Sequence, residues 1–184
     1  MTSRYLQTYS TPEVLAAQDH YYGRSRPVVA DGDRDVLGTD EAEFIARRDS
    51  FYMATVSADG WPYLQHRGGP AGFLKVLDER TLAFADFRGN RQLISTGNLS
   101  RRDRAALFLM DYPNRARLKI LGRTRVLDAR ENAGLVDTLA VDETLRPKVE
   151  RVFVIDVLSF DWNCSQYITP RYSDAELEAM GAMP

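Results

Sequence analysis

Short apolar segments, separated by turn residues, dominate the chain after residue 50. Residues 51–57 are β-branched and aromatic, and the Ala-Asp-Gly that follows is a hairpin signal before residues 62–67. The same kind of composition predicts further strands over residues 73–77, 81–86, 105–110, 115–126 and 151–162. Many strands at short spacing predict a mainly β protein, a small barrel or sandwich. The absence of a strand–helix–strand rhythm argues against a doubly wound or TIM fold.

Alternation along these segments predicts which faces are buried. Residues 115–126 alternate most regularly, with one parity apolar and the other cationic. The cationic positions are Arg115, Arg117, Lys119, Arg123 and Arg125. Residues 105–110 are apolar throughout, as expected of a central strand. Residues 73–77 and 81–86 alternate weakly, which predicts burial on both of their faces.

Helical signals are fewer than strand signals. Asp40, followed three residues later by Glu43, predicts a capped helix over residues 40–47. A change of period over residues 90–99 predicts a short helix that Asn90 caps. Ser173 is positioned to cap a terminal helix over 174–180. Further short helices are predicted over residues 12–20 and 131–139.

Length and composition limit the possible functions. The 184 residues suit one domain, and we expect an N-terminal arm over 1–38 followed by a single barrel domain over 39–184. A net charge of −2 gives no global field for nucleic acid or anionic lipid, so any anion site must be local. The single cysteine, Cys164, and the lack of a signal-peptide or membrane-spanning run predict a cytoplasmic protein. Two histidines are too few for a usual zinc site, so no metal is expected.

The first candidate site is a glycine-rich bend over residues 66–75. Arg67 and Lys75 flank it, and Gly68 is the first of its glycines. Glycines allow close backbone approach to a ligand, and an arginine offers a two-pronged donor to phosphate. The alternative is an ordinary bend between strands with solvated cations at its ends.

A second candidate lies where residues 87–92 join a strand to a helix. The start of a helix presents unpaired N–H groups and the positive end of the helix dipole, both of which favour an anion. Arg91 would add charge there, next to Asn90 and Gln92. The alternative is a plain helix cap with surface arginines.

Two further segments carry weaker signals. One of the cations on the face of residues 115–125 could reach a ligand, although most arginines on such a face lie in solvent. Residues 160–172 are unusually aromatic and polar for the end of a strand. Trp162 could cover a planar ring and Arg171 could hydrogen-bond to it, or these side chains could simply pack on the barrel.

Taken in order, these pieces resemble the FMN-binding split barrels of the pyridoxamine 5′-phosphate oxidase-like family, over about residues 44–171. The motifs that carry the resemblance are the His-Arg-Gly-Gly-Pro bend, the Phe-Leu-Lys that follows it, and Phe-Ala-Asp-Phe-Arg-Gly-Asn-Arg-Gln. The resemblance implies a six-stranded antiparallel split barrel. It also implies a homodimer with two FMN sites at its interface.

The resemblance also implies a role for individual residues. By this resemblance, the strand pair that lies along the flavin and its phosphate contains Arg67, Gly68 and Lys75. Those that grip the phosphate are Asn90, Arg91 and Gln92. Those beside the ring and ribityl chain are Phe84, Ala85 and Asp86. Arg117 matches a polar contact from the next strand pair, and Trp162 and Arg171 match residues that close the pocket, commonly from the partner subunit.

One departure from the family bears on activity. True pyridoxamine-phosphate oxidases end in an Arg-x-His arrangement for the phosphate of the substrate, and residues 169–172 contain no histidine. We therefore expect an oxidoreductase that passes hydride or electrons between FMN and a small molecule other than pyridoxamine phosphate. The alternatives are a flavin carrier or sensor without turnover, and a relative that uses deazaflavin or haem.

Overall fold

The computed structural model describes residues 4–29, 32, 34–139, 142–162 and 165–182. Cys164 lies outside these residues. The described strands are β1 (Ser50–Val56), β2 (Pro62–Gly68), β3 (Lys75–Asp78), β4 (Thr81–Phe87), β5 (Arg104–Asp111), β6 (Ala116–Asp128) and β7 (Val149–Trp162). The helices are α1 (Arg4–Thr8), α2 (Pro12–Tyr22), α3 (Thr39–Ala46), α4 (Ile94–Arg101), α5 (Ala133–Leu139) and α6 (Asp174–Ala179). Short 3₁₀ turns occupy Ala129–Glu131 and Arg146–Lys148.

All described strands belong to one antiparallel sheet, in the order β2-β1-β5-β6-β7-β4-β3. The mainly β fold predicted from the sequence is therefore confirmed, with seven strands in place of the expected six. The shortest strand, β3, has four residues and pairs with β4 at one edge of the sheet. The apolar β5 lies centrally, as its composition predicted.

The sheet curls until its two halves meet. Strand register leads from His66 on β2 across β1, β5 and β6 to Asp161 on β7. Arg67, next to His66, instead forms an ion pair with Asp86 of β4, which also pairs with Arg151 of β7. Arg151 precedes Asp161 by ten residues on the same strand. A sheet whose ends meet with such an offset has strands that tilt around a barrel axis.

Aromatic rings fill the barrel interior. Phe51 of β1 meets Phe84 of β4 edge to face at 5.3 Å between ring centroids, although these strands are not neighbours in the sheet. Phe84 also stacks on Phe153 of β7 at 4.8 Å, and Phe73 stacks on Phe51 at 5.5 Å. Buried aromatic pairs of this kind add about 0.5–1.5 kcal/mol each beyond the burial of their area.

A second apolar layer covers the outer side of β4 and β7. Val136 and Leu139 of α5 pack there against small and branched side chains of the sheet. Strand β4 is therefore buried on both faces, as its weak alternation predicted. Of the predicted segment 73–77, Phe73 and Leu74 are buried as expected, but the prediction was wrong for the residues within β3, which are partly exposed because β3 lies at the sheet edge.

Strand β6 confirms the alternation read from the sequence. Leu118 and Ile120 are fully buried, while Arg123 and Arg125 are exposed on the opposite parity. The pairing of β6 with β7 shifts register between Leu121 and Gly122. A Cβ at Gly122 would lie 2.5 Å from Cγ2 of Ile155 and 3.0 Å from the backbone oxygen of Asp156 on β7, so a larger residue here would force a shift.

The N-terminal arm is more helical than its sequence suggested. Helix α2 confirms the predicted short helix, and Thr11 caps it. In α1, Tyr5 packs its ring 4.4 Å from Nζ of Lys119 on β6. The arm ends by entering the barrel domain, since Leu37 is buried and its N–H donates to the carbonyl of Glu79. None of the described helices has the length and apolar character needed to cross a membrane.

Two helix starts can be compared with their predictions. Ser173 caps α6 and forms a capping box with Glu176, which confirms the predicted start. Helix α3 begins one residue earlier than predicted, and the Glu41 carboxylate accepts the N–H of Gly38. The predicted Asp40–Glu43 pair is therefore wrong, because Gly38 already supplies the extended residue before the first turn.

The fold predicts opposite effects for alanine at two glycines. Gly122→Ala should destabilise the protein by about 1–3 kcal/mol, because its Cβ would press on Ile155 and on the β7 backbone. Gly97→Ala in α4 should stabilise it by about 0.5–1 kcal/mol, because a Cβ there meets open space. Urea unfolding of both variants measures the two changes. Equal free energies of unfolding would contradict the close approach of β6 and β7.

Candidate functional site

A buried cluster of three charged side chains joins β2, β4 and β7. The Arg67 guanidinium lies 2.5 Å from Oδ1 of Asp86, and Nη2 of Arg151 lies 2.8 Å from Oδ2 of the same carboxylate. Nε of Arg151 also donates to Oδ2 at 2.8 Å. The three side chains are only 12%, 10% and 18% exposed. One carboxylate thus holds two nearly buried cations, and the cluster carries a net charge of +1.

Strand periodicity places this cluster at the end of the barrel interior. Asp86 follows the core residue Phe84 by two positions, and Arg151 precedes the core residue Phe153 by two. Successive odd or even positions share one face of a strand, so both side chains point inward. The Arg67 guanidinium lies over the Phe153 ring at 5.0 Å. The charged cluster therefore lies at one end of the barrel interior, directly next to the aromatic core.

Arg67 has unused hydrogen-bonding capacity. Its Nε is buried and has no hydrogen-bond partner among the described residues. Burial lowers the pKa of the guanidinium, and the Asp86 carboxylate opposes that shift. An arginine remains charged under any ordinary condition, so a buried donor without an acceptor is costly. An acceptor supplied by an anion would remove that cost.

A small cavity opens beside the Arg67–Asp86–Arg151 cluster. Its volume is about 110 Å³, against roughly 30 Å³ per molecule of liquid water. It has room for one phosphate-sized group. Polar side chains that line it, besides the cluster, are those of Gln65, Asn90, Arg91, Ser95 and Thr96. The glycine-rich bend and the strand–helix junction, which the sequence marked as separate candidates, thus meet through Arg67 and Arg91.

The junction differs from its prediction in one respect. Helix α4 begins at Ile94, so the prediction that Asn90 caps it was wrong. The side-chain oxygen of Asn90 accepts the N–H of Gln92 within the loop, at 3.1 Å. Arg91 and Leu93 have positive φ angles of 60° and 54°, which a continuing helix does not allow.

The start of helix α4 nevertheless lies at the cavity. The four residues from the start of α4 that line the cavity are Leu93, Ile94, Ser95 and Thr96. The positive end of the helix dipole therefore faces the cavity, which favours an anion there. Strained backbone at Arg91 and Leu93 is also typical of ligand-binding loops.

Five predicted site residues are not among those that line the cavity. Gly68 follows Arg67 on β2. Lys75 is the first residue of β3 and pairs with Ala83 of β4. Phe84 belongs to the aromatic core. Ala85 packs beneath α5. Gln92 contributes to the loop through its hydrogen bonds with Asn90. Their roles towards a cofactor stay predictions.

Three predicted residues lie far from this cavity in the same chain. Nε1 of Trp162 donates to Glu41 at 2.7 Å. Arg171 stacks on the ring of Tyr112 at 5.1 Å, in a separate cavity of about 300 Å³. Arg117 lies on β6, next to the residue that pairs with Trp162. At about 3.3 Å per residue, Trp162 and Arg151 are separated by roughly 35 Å of strand. One chain does not bring these three residues to the anion cavity.

The sequence reasoning gave no role in the site to Arg151, Ser95 or Thr96, and it marked Gln65 only at the start of the glycine-rich candidate segment. Arg151 was read only as the start of the last strand, although its parity with Phe153 could have placed it inside the barrel. Gln65 shares the inward parity of Arg67 on β2. Ser95 donates to its side chain at 3.0 Å, which ties α4 to β2 at the edge of the cavity.

A wider groove of about 980 Å³ adjoins the small cavity and shares Thr96 and Arg151 with it. Its charged residues are largely paired with one another. Arg88 bonds Glu150 at 3.2 Å, and Arg130 bonds Asp128 at 2.5 Å. Arg88 and Arg130 of the groove are therefore already compensated by carboxylates.

Comparison with known proteins agrees with this fold. Residues 39–154, more than half of the chain, match the family model described as pyridoxamine 5′-phosphate oxidase. Comparison with curated proteins gives no match.

Three solved structures illustrate the shared fold. A Lactobacillus delbrueckii protein assigned as a pyridoxamine 5′-phosphate oxidase is 22% identical, with 68% of this chain and 93% of that chain covered and a TM-score of 0.53. An FMN-binding protein of Syntrophomonas wolfei is 12% identical, with 68% and 85% covered and a TM-score of 0.52. The conserved hypothetical protein Rv2991 of Mycobacterium tuberculosis is 18% identical, with 79% and 96% covered and a TM-score of 0.51.

If the Asp86 charge is removed, we expect a bound anion to compensate for part of its loss. Asp86→Asn leaves Arg67 buried without a counter-charge and leaves Arg151 with Glu150 alone, which should destabilise the protein by about 3–5 kcal/mol. Millimolar phosphate should restore more stability to this variant than to the wild type, because binding to the folded state stabilises it. Thermal unfolding, with chloride at matched ionic strength as reference, measures both effects.

Asp103→Asn is the matched control, because Asp103 forms an exposed ion pair with Arg123. It should change the free energy of unfolding by no more than about 1 kcal/mol. If the Asp86 and Asp103 variants were equally stable, the Arg67–Asp86–Arg151 cluster would not be the constraint described here.

Proposed function

The chain belongs to the pyridoxamine 5′-phosphate oxidase family, and we propose that it is an FMN-binding oxidoreductase. The observation that carries the proposal is the cavity beside Arg67, where a buried Nε lacks an acceptor. A phosphate there would accept hydrogen bonds from Arg67, from Arg91 and from the first turn of α4. The same fold serves the FMN-binding protein of Syntrophomonas wolfei.

The residues present fit the phosphate end of FMN. The small cavity contains three arginines and one carboxylate, and it has room for one phosphate group. Each charge-assisted hydrogen bond contributes about 1.5–3 kcal/mol. Several such bonds, with burial of part of the ring, are sufficient for micromolar affinity after the cost of association. The ribityl chain and ring would then extend out of the small cavity, since it is too small to hold them.

When bound, the flavin supplies the electron-transfer chemistry. The chain's own part is to hold and orient that cofactor through the cavity residues. Arg67 and Arg91 bind the phosphate, and Asp86 keeps Arg67 in place through their 2.5 Å contact. The electron donor and acceptor are small molecules. The proposed location of the protein is the cytoplasm, which is a reducing compartment.

A second candidate function is flavin binding without turnover, as in a carrier or sensor. Among the described residues that line the small cavity, the sole carboxylate is Asp86, and no histidine is present. Two arginines hold that carboxylate, so it has little freedom to transfer a proton. Because the ring would lie outside the small cavity, this lining bears on phosphate binding, and the feature that favours the second candidate is the absence of a histidine from residues 169–172.

We also propose a homodimer with shared flavin sites. Trp162 and Arg171 match residues that close the pocket in the family, yet in one chain they lie apart from the small cavity. Nε of Arg117 is buried without a partner among the described residues. A two-fold arrangement would let these three side chains of one subunit approach the cofactor held by the other.

Purified protein should be yellow, with the usual absorption bands of bound flavin. Arg91→Ala should weaken FMN binding about tenfold or more, because Arg91 lines the cavity. Arg123→Ala should leave the dissociation constant unchanged, because Arg123 pairs with Asp103 on the outer surface. Fluorescence titration with FMN measures both variants. Colourless protein that ignores added FMN would contradict the proposal, and equal constants would contradict the position of the phosphate.

Light scattering should give twice the 20.9 kDa of one chain. Trp162→Ala should lower FMN affinity although Trp162 does not line the small cavity of its own chain, because in the proposed dimer this side chain approaches the cofactor held by the other subunit. A monomer that bound FMN as tightly as the dimer would overturn the shared site.

A further inference from the structure

Arg151 occupies the centre of a line of alternating charges. Its Nη1 contacts Glu150 at 3.1 Å, and its Nε and Nη2 contact Asp86. The line continues from Glu150 to Arg88 at one end and from Asp86 to Arg67 at the other. Three cations and two carboxylates leave an excess of one positive charge. That excess lies against the small cavity, because Arg67, Asp86 and Arg151 all line it.

The charge of the cavity depends on Arg151. Without it, Asp86 would cancel the charge of Arg67, and Arg91 would remain as the one uncompensated cation of the described lining. With it, three guanidinium groups face one carboxylate, and the net charge of the lining is +2. Arg151 reaches this position from β7, a strand that carries none of the phosphate-binding positions inferred from the sequence.

A phosphate monoester matches that charge. It carries about −1.5 to −2 at pH 7, because its second pKa is about 6. A phosphodiester has a single charge and a substituent on each side. The small cavity, at about 110 Å³, has room for one terminal group with its three free oxygens. Charge and size therefore favour the same ligand class.

We propose that Arg151 is a specificity-determining residue that makes this site select a terminal phosphate dianion over a phosphodiester. The inference rests on the proposed function and sharpens it, since FMN ends in a monoester. Arg151 acts by offsetting Asp86, which leaves the charge of Arg67 and its buried Nε available to the ligand. It is a positioning residue for Arg67 as well as a wall of the cavity.

The test compares FMN with riboflavin, which lacks the phosphate, between pH 7.5 and 5.5. Wild-type affinity for FMN should fall as the pH decreases through about 6, because the phosphate gains a proton and loses a charge. Riboflavin affinity should stay constant. Arg151→Gln should bind FMN about tenfold less tightly at pH 7.5 and show a flatter pH profile. Arg151→Lys should restore part of the FMN affinity and part of its pH dependence, because lysine returns the charge without the two-pronged contact.

Arg125→Gln is the matched control. Arg125 lines the neighbouring groove with Arg151 but does not line the small cavity, so this variant should behave as the wild type. A purely structural role for Arg151 would lower FMN and riboflavin affinity together and leave the pH profile of FMN unchanged. That result would overturn the inference.

A second measurement on the wild type separates this inference from the proposed function. Inorganic phosphate should raise the unfolding temperature, and dimethyl phosphate at the same concentration and ionic strength should not. Equal stabilisation by the two anions would overturn selection of a dianion, whether or not FMN binds. Stabilisation by phosphate alone, in a protein that ignores FMN, would support the inference and contradict FMN as the ligand.

Discussion

The two halves of the sheet meet where two nearly buried arginines share one nearly buried carboxylate. Arg67 and Arg151 come from strands that are not neighbours in the sheet, and Asp86 holds both. Removing charges from water is expensive, and the line from Arg88 through Glu150, Arg151 and Asp86 to Arg67 contains one cation more than it contains carboxylates. The barrel therefore has an excess positive charge, nearly buried, at the point where its halves meet. A ligand anion would offset that excess charge, so the contacts that join the two halves of the sheet also form the proposed site.

The rest of the molecule keeps these contacts in place. The stacked rings of Phe84 and Phe153 lie just inside the cluster, and the Arg67 guanidinium rests on them. Helix α5 covers the other face of β4 and β7, so neither strand can move away from the core. Dense packing of this kind fixes side-chain positions closely. The arginines are thus held ready for a ligand, which lowers the ordering cost of binding.

The sequence was sufficient for much of this account because local signals were strong. Alternation on β6 and the apolar β5 placed those strands correctly, and the glycine-rich bend drew attention to Arg67. Asn90 was read wrongly as a helix cap, since nothing local marks the positive φ angles of Arg91 and Leu93. Arg151 was missed because its partner Asp86 is 65 residues away in the chain. Such a pair becomes visible only once strand register is known.

The most direct test is a crystal structure of the protein with FMN bound. A phosphate oxygen should lie within about 3.2 Å of the buried Nε of Arg67. The other phosphate oxygens should face Arg91 and the first turn of α4, with the ring outside the small cavity. A flavin bound with its phosphate elsewhere, and the Arg67–Asp86–Arg151 cluster still without an anion, would contradict the account.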